Sequence, residues 1–74
     1  MSRLVRMDGT GHTVLSEWQH EDRESVDRAA AILRDELAAG SFAVVPHGPG
    51  RAEMVRELPA HEPLVILRRP IAGG

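Results

Sequence analysis

Few residues of this chain have types and spacings that support catalysis or metal binding. The sequence has no Cys, which excludes disulfides, thiolate nucleophiles and zinc sites built on Cys. The four histidines, His12, His20, His47 and His61, fall in predicted loops and strand ends, without a His-x-x-x-His pair on a helix. We interpret them as surface residues and predict neither a metal site nor a bound cofactor.

Two further sets of residue types are incomplete as catalytic motifs. A hydrolytic triad could be composed of a serine, Ser16 or Ser41, together with a histidine and Asp22. Almost any chain contains such a set of residue types. Gly48-Pro49-Gly50 lacks the Lys-Ser/Thr pair and the following helix of a phosphate-binding loop, so it is interpreted as a turn. We therefore predict that the chain is not an enzyme and has no catalytic residues.

The remaining candidate is the end of the sequence, Gly73-Gly74. At ordinary glycine usage a chain ends in Gly-Gly by chance about once in two hundred sequences, so the pair alone is a weak motif. Here it ends a short tail, residues 69–74, which contains Arg69 and Pro70 and follows the last predicted strand. The alternative interpretation is that the two glycines at this terminus have no function.

Composition is typical of a small globular domain. Of 74 residues, 42% are hydrophobic and 27% are charged, and no apolar run approaches the ~18 residues of a membrane span. We expect a single cytoplasmic domain without a leader and without a membrane partner. A net charge of −2 argues against sequence-independent binding of nucleic acid, which needs a basic field. All nine basic residues are Arg, which a GC-rich genome would explain.

A hairpin is predicted at the start of the chain. Residues 3–7 and 12–18 have the mixed apolar and polar pattern of half-buried strands, and Asp8-Gly9 between them is a strong turn signal. Val14 and Leu15 compete for the inner face of the second strand. Trp18 is expected to close the core where this strand meets the helix.

A helix is predicted over residues 22–39. Its apolar residues recur every three or four positions: Val26, Ala29, Ala30, Ile32, Leu33 and Leu37. Glu24 and Arg28 form a favourable i,i+4 pair, and Gly40 is suited to the left-handed conformation that ends helices. We expect the apolar stripe to face the core and the opposite side to face solvent.

Three more strands are predicted, at residues 41–45, 52–58 and 64–68. Pro46 is expected to end the first, and the apolar run of the last is typical of a central strand buried on both sides. The predicted fold of residues 1–68 is α+β, a mixed sheet of four to five strands with one helix on one face. The first and last strands lie side by side at its centre, with a hairpin on each flank.

The order of these elements and the end of the chain resemble the β-grasp superfamily of ubiquitin-like proteins and sulfur carriers. Pro70-Ile71-Ala72-Gly73-Gly74 is similar to the Pro-x-x-Gly-Gly ending of molybdopterin-synthase small subunits. Arg68 and Arg69 resemble, more loosely, the Arg-containing tail of ubiquitin. Similarity between individual residues covers about the last ten positions, and the rest is a likeness of element order and length.

The resemblance implies a function for a flexible tail, residues 69–74. A ubiquitin-activating-type enzyme would use ATP to adenylate the carboxylate of Gly74, and Gly73 would give clearance in a narrow channel. The product would deliver sulfur as a thiocarboxylate to a synthase, or join the amine of a target protein. Pro70 would stiffen the exit from the sheet, Ile71 and Ala72 would contact the partner, and Arg68-Arg69 would pair with its acidic groups. Without Lys, the chain could not form polymers through its own side chains.

Two alternatives remain open at the level of sequence. The chain could be a β-grasp interaction module, an adaptor or accessory subunit that is never activated and binds partners through its sheet face or an edge strand. A small DNA-binding regulator is the weaker alternative, because the net charge is negative.

Overall fold

Five strands form one mixed sheet and one helix packs on it, in the residues that the structure describes. The structure is a computed structural model, and it describes residues 1–9 and 11–70. In chain order its elements are β1 (Ser2–Asp8), β2 (Gly11–Trp18), α1 (Arg23–Ala38), β3 (Phe42–Gly48), β4 (Arg51–Val55) and β5 (Leu64–Arg68). No helix within these two ranges is both long enough and apolar enough to cross a membrane. The predicted α+β architecture is confirmed.

The strands run in the order β2-β1-β5-β3-β4 across the sheet. At its centre β1 and β5 pair in parallel, while β3 pairs with β5 in the antiparallel direction. An antiparallel hairpin lies on each flank, β1–β2 on one side and β3–β4 on the other. A parallel pair requires a crossover connection, and here that connection includes α1. The first and last strands are therefore neighbours, as predicted.

The helix is one residue shorter at each end than the predicted range 22–39. Asp22 is its N-cap and accepts a hydrogen bond from the backbone N–H of Ser25 (3.4 Å), which satisfies one of the free donors at the helix start. Ala39 is the C-cap, and Gly40 follows with a φ of +105°. The predicted role of Gly40 is confirmed, since a residue with a Cβ is strained at that angle.

The core lies between α1 and one face of the sheet. Its fully buried side chains are Leu4, Trp18, Ala29, Leu33, Ala43, Val45, Val65 and Leu67. In the helix stripe Ala29 and Leu33 are buried, while Val26, Ile32 and Leu37 pack around them with part of their surface exposed. Burial of a Leu or Val side chain contributes about 1.5–3 kcal/mol, so this layer supplies most of the stability.

The prediction that β5 is buried on both sides is wrong. Val65 and Leu67 are fully buried, but Leu64 and Ile66, which point to the other face, are only half-buried. The physical reason is that α1 covers one face of the sheet and no described element covers the other.

Pro46 does not end β3, contrary to expectation. The strand continues to Gly48, and Pro46 is paired with Ala52 of β4. The pairing of β3 with β5 covers only Phe42 to Val44, so β3 has no neighbour on that side at Pro46. A proline, which has no N–H to donate, is tolerated where a strand has one free edge.

The predicted range of β4, residues 52–58, is too long. The strand ends at Val55, which pairs with Ala43 near the beginning of β3, so little of β3 remains as a partner beyond it. Leu58 nevertheless packs against the core from the following loop. Leu58 therefore extended the apolar pattern of the sequence because it contacts the core, although it lies outside the strand.

A bulge in β2 decides which of Val14 and Leu15 faces the core. Val5 pairs with Val14 and Leu4 pairs with Ser16, so Leu15 is an extra residue in β2 at this point. Leu15 packs against the core, while Val14 is 43% exposed on the opposite face.

Trp18 closes one end of the core, as predicted. Its side chain is 1% exposed, and its indole Nε1 donates a hydrogen bond to the carbonyl oxygen of Ala60 (3.0 Å). Ala60 belongs to the loop between β4 and β5, so the bond attaches that loop to the end of β2. An indole N–H that is buried needs such a partner.

We predict that Trp18→Phe lowers the free energy of unfolding by about 1–3 kcal/mol, because the Ala60 carbonyl loses a buried donor. Urea denaturation followed by circular dichroism measures this loss without relying on tryptophan fluorescence. Met54→Leu, at a position that is 65% exposed, is the control and should leave the midpoint unchanged. A Trp18→Phe variant as stable as the wild type would contradict the role assigned to the bond.

Candidate functional site

The structure describes only the first part of the predicted tail. Arg68 is the last residue of β5, and the exposed residues Arg69 and Pro70 follow it. Ile71, Ala72, Gly73 and Gly74 lie outside the described residues, so their predicted roles remain predictions. The tail thus begins directly at the end of the central strand.

The tail leaves the sheet beside the β1–β2 hairpin. Because β1 and β5 are parallel, both end at the same edge of the sheet. An open groove of about 660 Å³ lies at this edge. It is lined by Met7, Asp8, Gly9, Phe42, Arg68, Arg69 and Pro70. The tail therefore starts within a groove that the first and last strands form together, and sequence reasoning had not linked the hairpin to it.

Arg68 and Arg69 lack carboxylate partners among the described residues, whereas other arginines have them. Arg3 pairs with Glu17 (3.1 Å), and Arg6 lies 4.0 Å from an oxygen of Glu36. Arg68 instead donates a long hydrogen bond from Nη2 to the sulfur of Met7 (3.8 Å). The base of the tail therefore presents positive charge to an approaching molecule.

The sheet face opposite α1, which we call the open face, carries a continuous apolar row. Register places Val5 beside Val14 on one side and beside Ile66 on the other, and Val44 between Ile66 and Met54. One apolar residue from each of the five strands thus lies in a line across the sheet. Val14 is 43% and Met54 is 65% exposed at the two ends of this row.

A second row on the open face connects the apolar row to the tail. Met7, which is 39% exposed, pairs with His12, and Phe42 pairs with Arg68. These residues lie one pleat nearer the end of β5 than the apolar row. The alternation of residues along each strand is the sequence signal for both rows, but their alignment requires the register between strands.

The other candidate residues do not assemble into a catalytic or metal centre. Among the described residues the buried Ser41 hydroxyl has no hydrogen-bond partner, Ser16 pairs with Leu4 across the sheet, and Asp22 caps the helix. His47 Nε2 lies 2.9 Å from a carboxylate oxygen of Glu53 on the exposed surface. Within residues 1–9 and 11–70, no group of three or more His, Asp or Glu side chains is arranged to hold a metal ion.

The chain matches no protein family model, no curated protein and no solved structure. We therefore infer function from the tail motif and from the geometry of the sheet that carries it. Fold similarity alone would not assign an activity in any case, since one fold supports many functions.

A matched pair of substitutions tests the difference between the two faces. We predict that Val65→Thr, which puts a hydroxyl in the core, lowers the free energy of unfolding by about 1–3 kcal/mol. Val14→Thr on the open face should stay within about 0.5 kcal/mol of the wild type. Urea denaturation followed by the fluorescence of Trp18 measures both. An equal loss in both variants would mean that the open face is packed in solution.

Proposed function

We propose that this protein is a β-grasp carrier whose C-terminal Gly74 carboxylate is activated by an adenylating enzyme. The observation that carries the proposal is the Pro70-Ile71-Ala72-Gly73-Gly74 sequence, which begins two residues after the central strand of the sheet. The strand order, with parallel β1 and β5 at the centre and one helix on one face, is consistent with a β-grasp.

The chemistry that we propose begins with adenylation of the Gly74 carboxylate and continues with transfer of the activated acyl group. The Gly74 carboxylate attacks the α-phosphorus of ATP, pyrophosphate leaves, and an acyl-adenylate forms. For sulfur transfer, a cysteine persulfide of the enzyme then attacks the acyl carbon and AMP leaves, and a second enzyme thiol cleaves the S–S bond, which releases the thiocarboxylate and leaves an enzyme disulfide. For conjugation, a cysteine thiolate of the enzyme displaces AMP to give a thioester, and a target amine then forms the amide as the thiolate leaves. All catalytic groups belong to the partner enzyme.

The described residues at the base of the tail suit this role. Arg68 and Arg69 have no carboxylate partners among residues 1–9 and 11–70 and are available to acidic groups of the enzyme. Pro70 restricts the backbone where the tail leaves the sheet, since its ring fixes φ. The groove beside them is open, so an enzyme can contact the strand end and the tail together.

Of the two outcomes, sulfur transfer and conjugation to a target amine, we favour sulfur transfer. The Pro-x-x-Gly-Gly ending resembles that of sulfur carriers, and the chain has no Lys. Without Lys, only the α-amino group could accept another copy, so a polymer linked through side chains is excluded by composition.

Intact-mass spectrometry of the protein purified from its native host tests the proposal. We expect a fraction with one oxygen replaced by sulfur at the C-terminus, or a covalent adduct with the amine of another protein. Deletion of Gly73 and Gly74 should abolish either product and also the exchange of pyrophosphate into ATP by the host's activating enzyme.

Arg34→Glu, on the exposed side of α1, is the control and should keep both products. An unmodified carboxylate that also remains unmodified with ATP and the activating enzyme would overturn the proposal.

The apolar row of the open face favours a second candidate function, an interaction module that is not activated. The row crosses the whole sheet and, although Val5 within it is buried, it is exposed at both ends, and exposed apolar patches commonly mark binding surfaces. In that case the row that ends at Val14 and Met54 would carry the function, and the tail would be dispensable.

Affinity purification of tagged variants from the host separates the two candidates. If the second holds, Met54→Glu should lose the bound partner while deletion of Gly73-Gly74 keeps it. Ala31→Glu introduces the same charge on the exposed side of α1 and is the matched control. The opposite pattern, with loss only on deletion of the glycines, would contradict the interaction module.

A further inference from the structure

Two histidines that are far apart in sequence lie in contact at the end of the molecule where Trp18 closes the core. His20 is in the turn between β2 and α1, and His61 is in the turn between β4 and β5. The centres of their imidazole rings are 4.8 Å apart, and the ring planes are inclined by 45°. Both residues are exposed, so an ion from solvent can reach them.

Both turns are held in place by short hydrogen bonds. The backbone N–H of Asp22 donates to the carbonyl of Gln19 (2.9 Å), and the N–H of Glu62 donates to the carbonyl of Pro59 (2.9 Å). The bond from the Trp18 indole to the Ala60 carbonyl then joins one turn to the other. Two ligands on fixed turns lose little conformational freedom when they bind, which raises affinity.

We propose that His20 and His61 together bind one divalent transition-metal ion of the class that imidazole favours, Zn²⁺, Ni²⁺ or Cu²⁺. A metal–nitrogen bond of 2.0–2.1 Å places the metal about 3.2 Å from the ring centre, so two rings at about 90–110° around one ion have centres about 4.5–5.2 Å apart. The observed 4.8 Å lies within this interval.

A carboxylate beside the pair supports this geometry. An oxygen of Glu21 lies 3.6 Å from Nδ1 of His20. A carboxylate near Nδ1 favours the tautomer that carries its proton there, which leaves Nε2 free as a ligand. Because the described residues supply no cluster of three ligands, solvent completes the coordination of the ion.

Such an ion would connect the loop between β4 and β5 to the start of α1. The domain has 74 residues and no Cys, and domains of this size often depend on a cross-link or a metal in addition to their core. A ligand that binds only the folded state stabilises it, in proportion to the logarithm of its concentration over the dissociation constant. The site is independent of the tail, so the inference does not depend on the activation of Gly74.

The test uses Cu²⁺, which binds imidazole sites more tightly than the other ions of this class. Trp18 is the single tryptophan, two residues from His20 and bonded to the neighbour of His61, so bound Cu²⁺ should quench its fluorescence. We expect saturable quenching in the wild type, and an at least tenfold weaker apparent affinity in His20→Gln and in His61→Gln. The double variant His12→Gln/His47→Gln is the matched control and should bind like the wild type.

Two further measurements follow the effect of the ion on thermal stability and on the histidine ring signals. Zn²⁺ should raise the melting temperature of the wild type and of the control but not of His20→Gln or His61→Gln. In NMR spectra of the wild type, Cu²⁺ should broaden the ring signals of His20 and His61 before those of His12 and His47. Equal broadening of all four histidines, or quenching that is unchanged in both single variants, would overturn the proposal.

Discussion

The burial of β5 between β1 and β3, beneath α1, is the interaction on which the rest of the structure depends. Val65 and Leu67 of this strand lie on the helix side of the sheet and are fully buried in the core. Once they face the helix, strand alternation sends Leu64, Ile66 and Arg68 to the other face. The same pairing decides the alignment of the apolar row and the edge from which the tail begins.

Local patterns were sufficient to predict the helix and the first hairpin. The helix has a 3.6-residue apolar period and a glycine at residue 40, where φ is positive, and both act within a few residues. The extent of β3 depended instead on where β5 stops beside it, and the orientation of Leu15 depended on a bulge opposite Leu4. Such features result from pairing between distant segments, which composition and periodicity do not encode.

The candidate site likewise has one part that the local sequence predicts and another that depends on pairing between distant segments. The Gly-Gly ending, the two arginines and Pro70 are contiguous, so the sequence alone identifies the tail. The groove at its base joins β1 to β5, and the apolar row takes one residue from each strand. His20 and His61 were interpreted separately as surface residues, because nothing local indicates that their two turns meet. The positions of the groove and the apolar row therefore depend mostly on the register between the strands.

The position of β5 has a consequence for the order of events during synthesis. Without this strand, the β1–β2 and β3–β4 hairpins share no hydrogen bonds, since β5 is the neighbour of both β1 and β3. A nascent chain therefore exposes two unpaired strand edges until its last strand leaves the ribosome, and the sheet is completed by a contact between distant parts of the chain. Folding of this domain is thus expected to be completed only when β5, the segment next to the tail, inserts between the two hairpins.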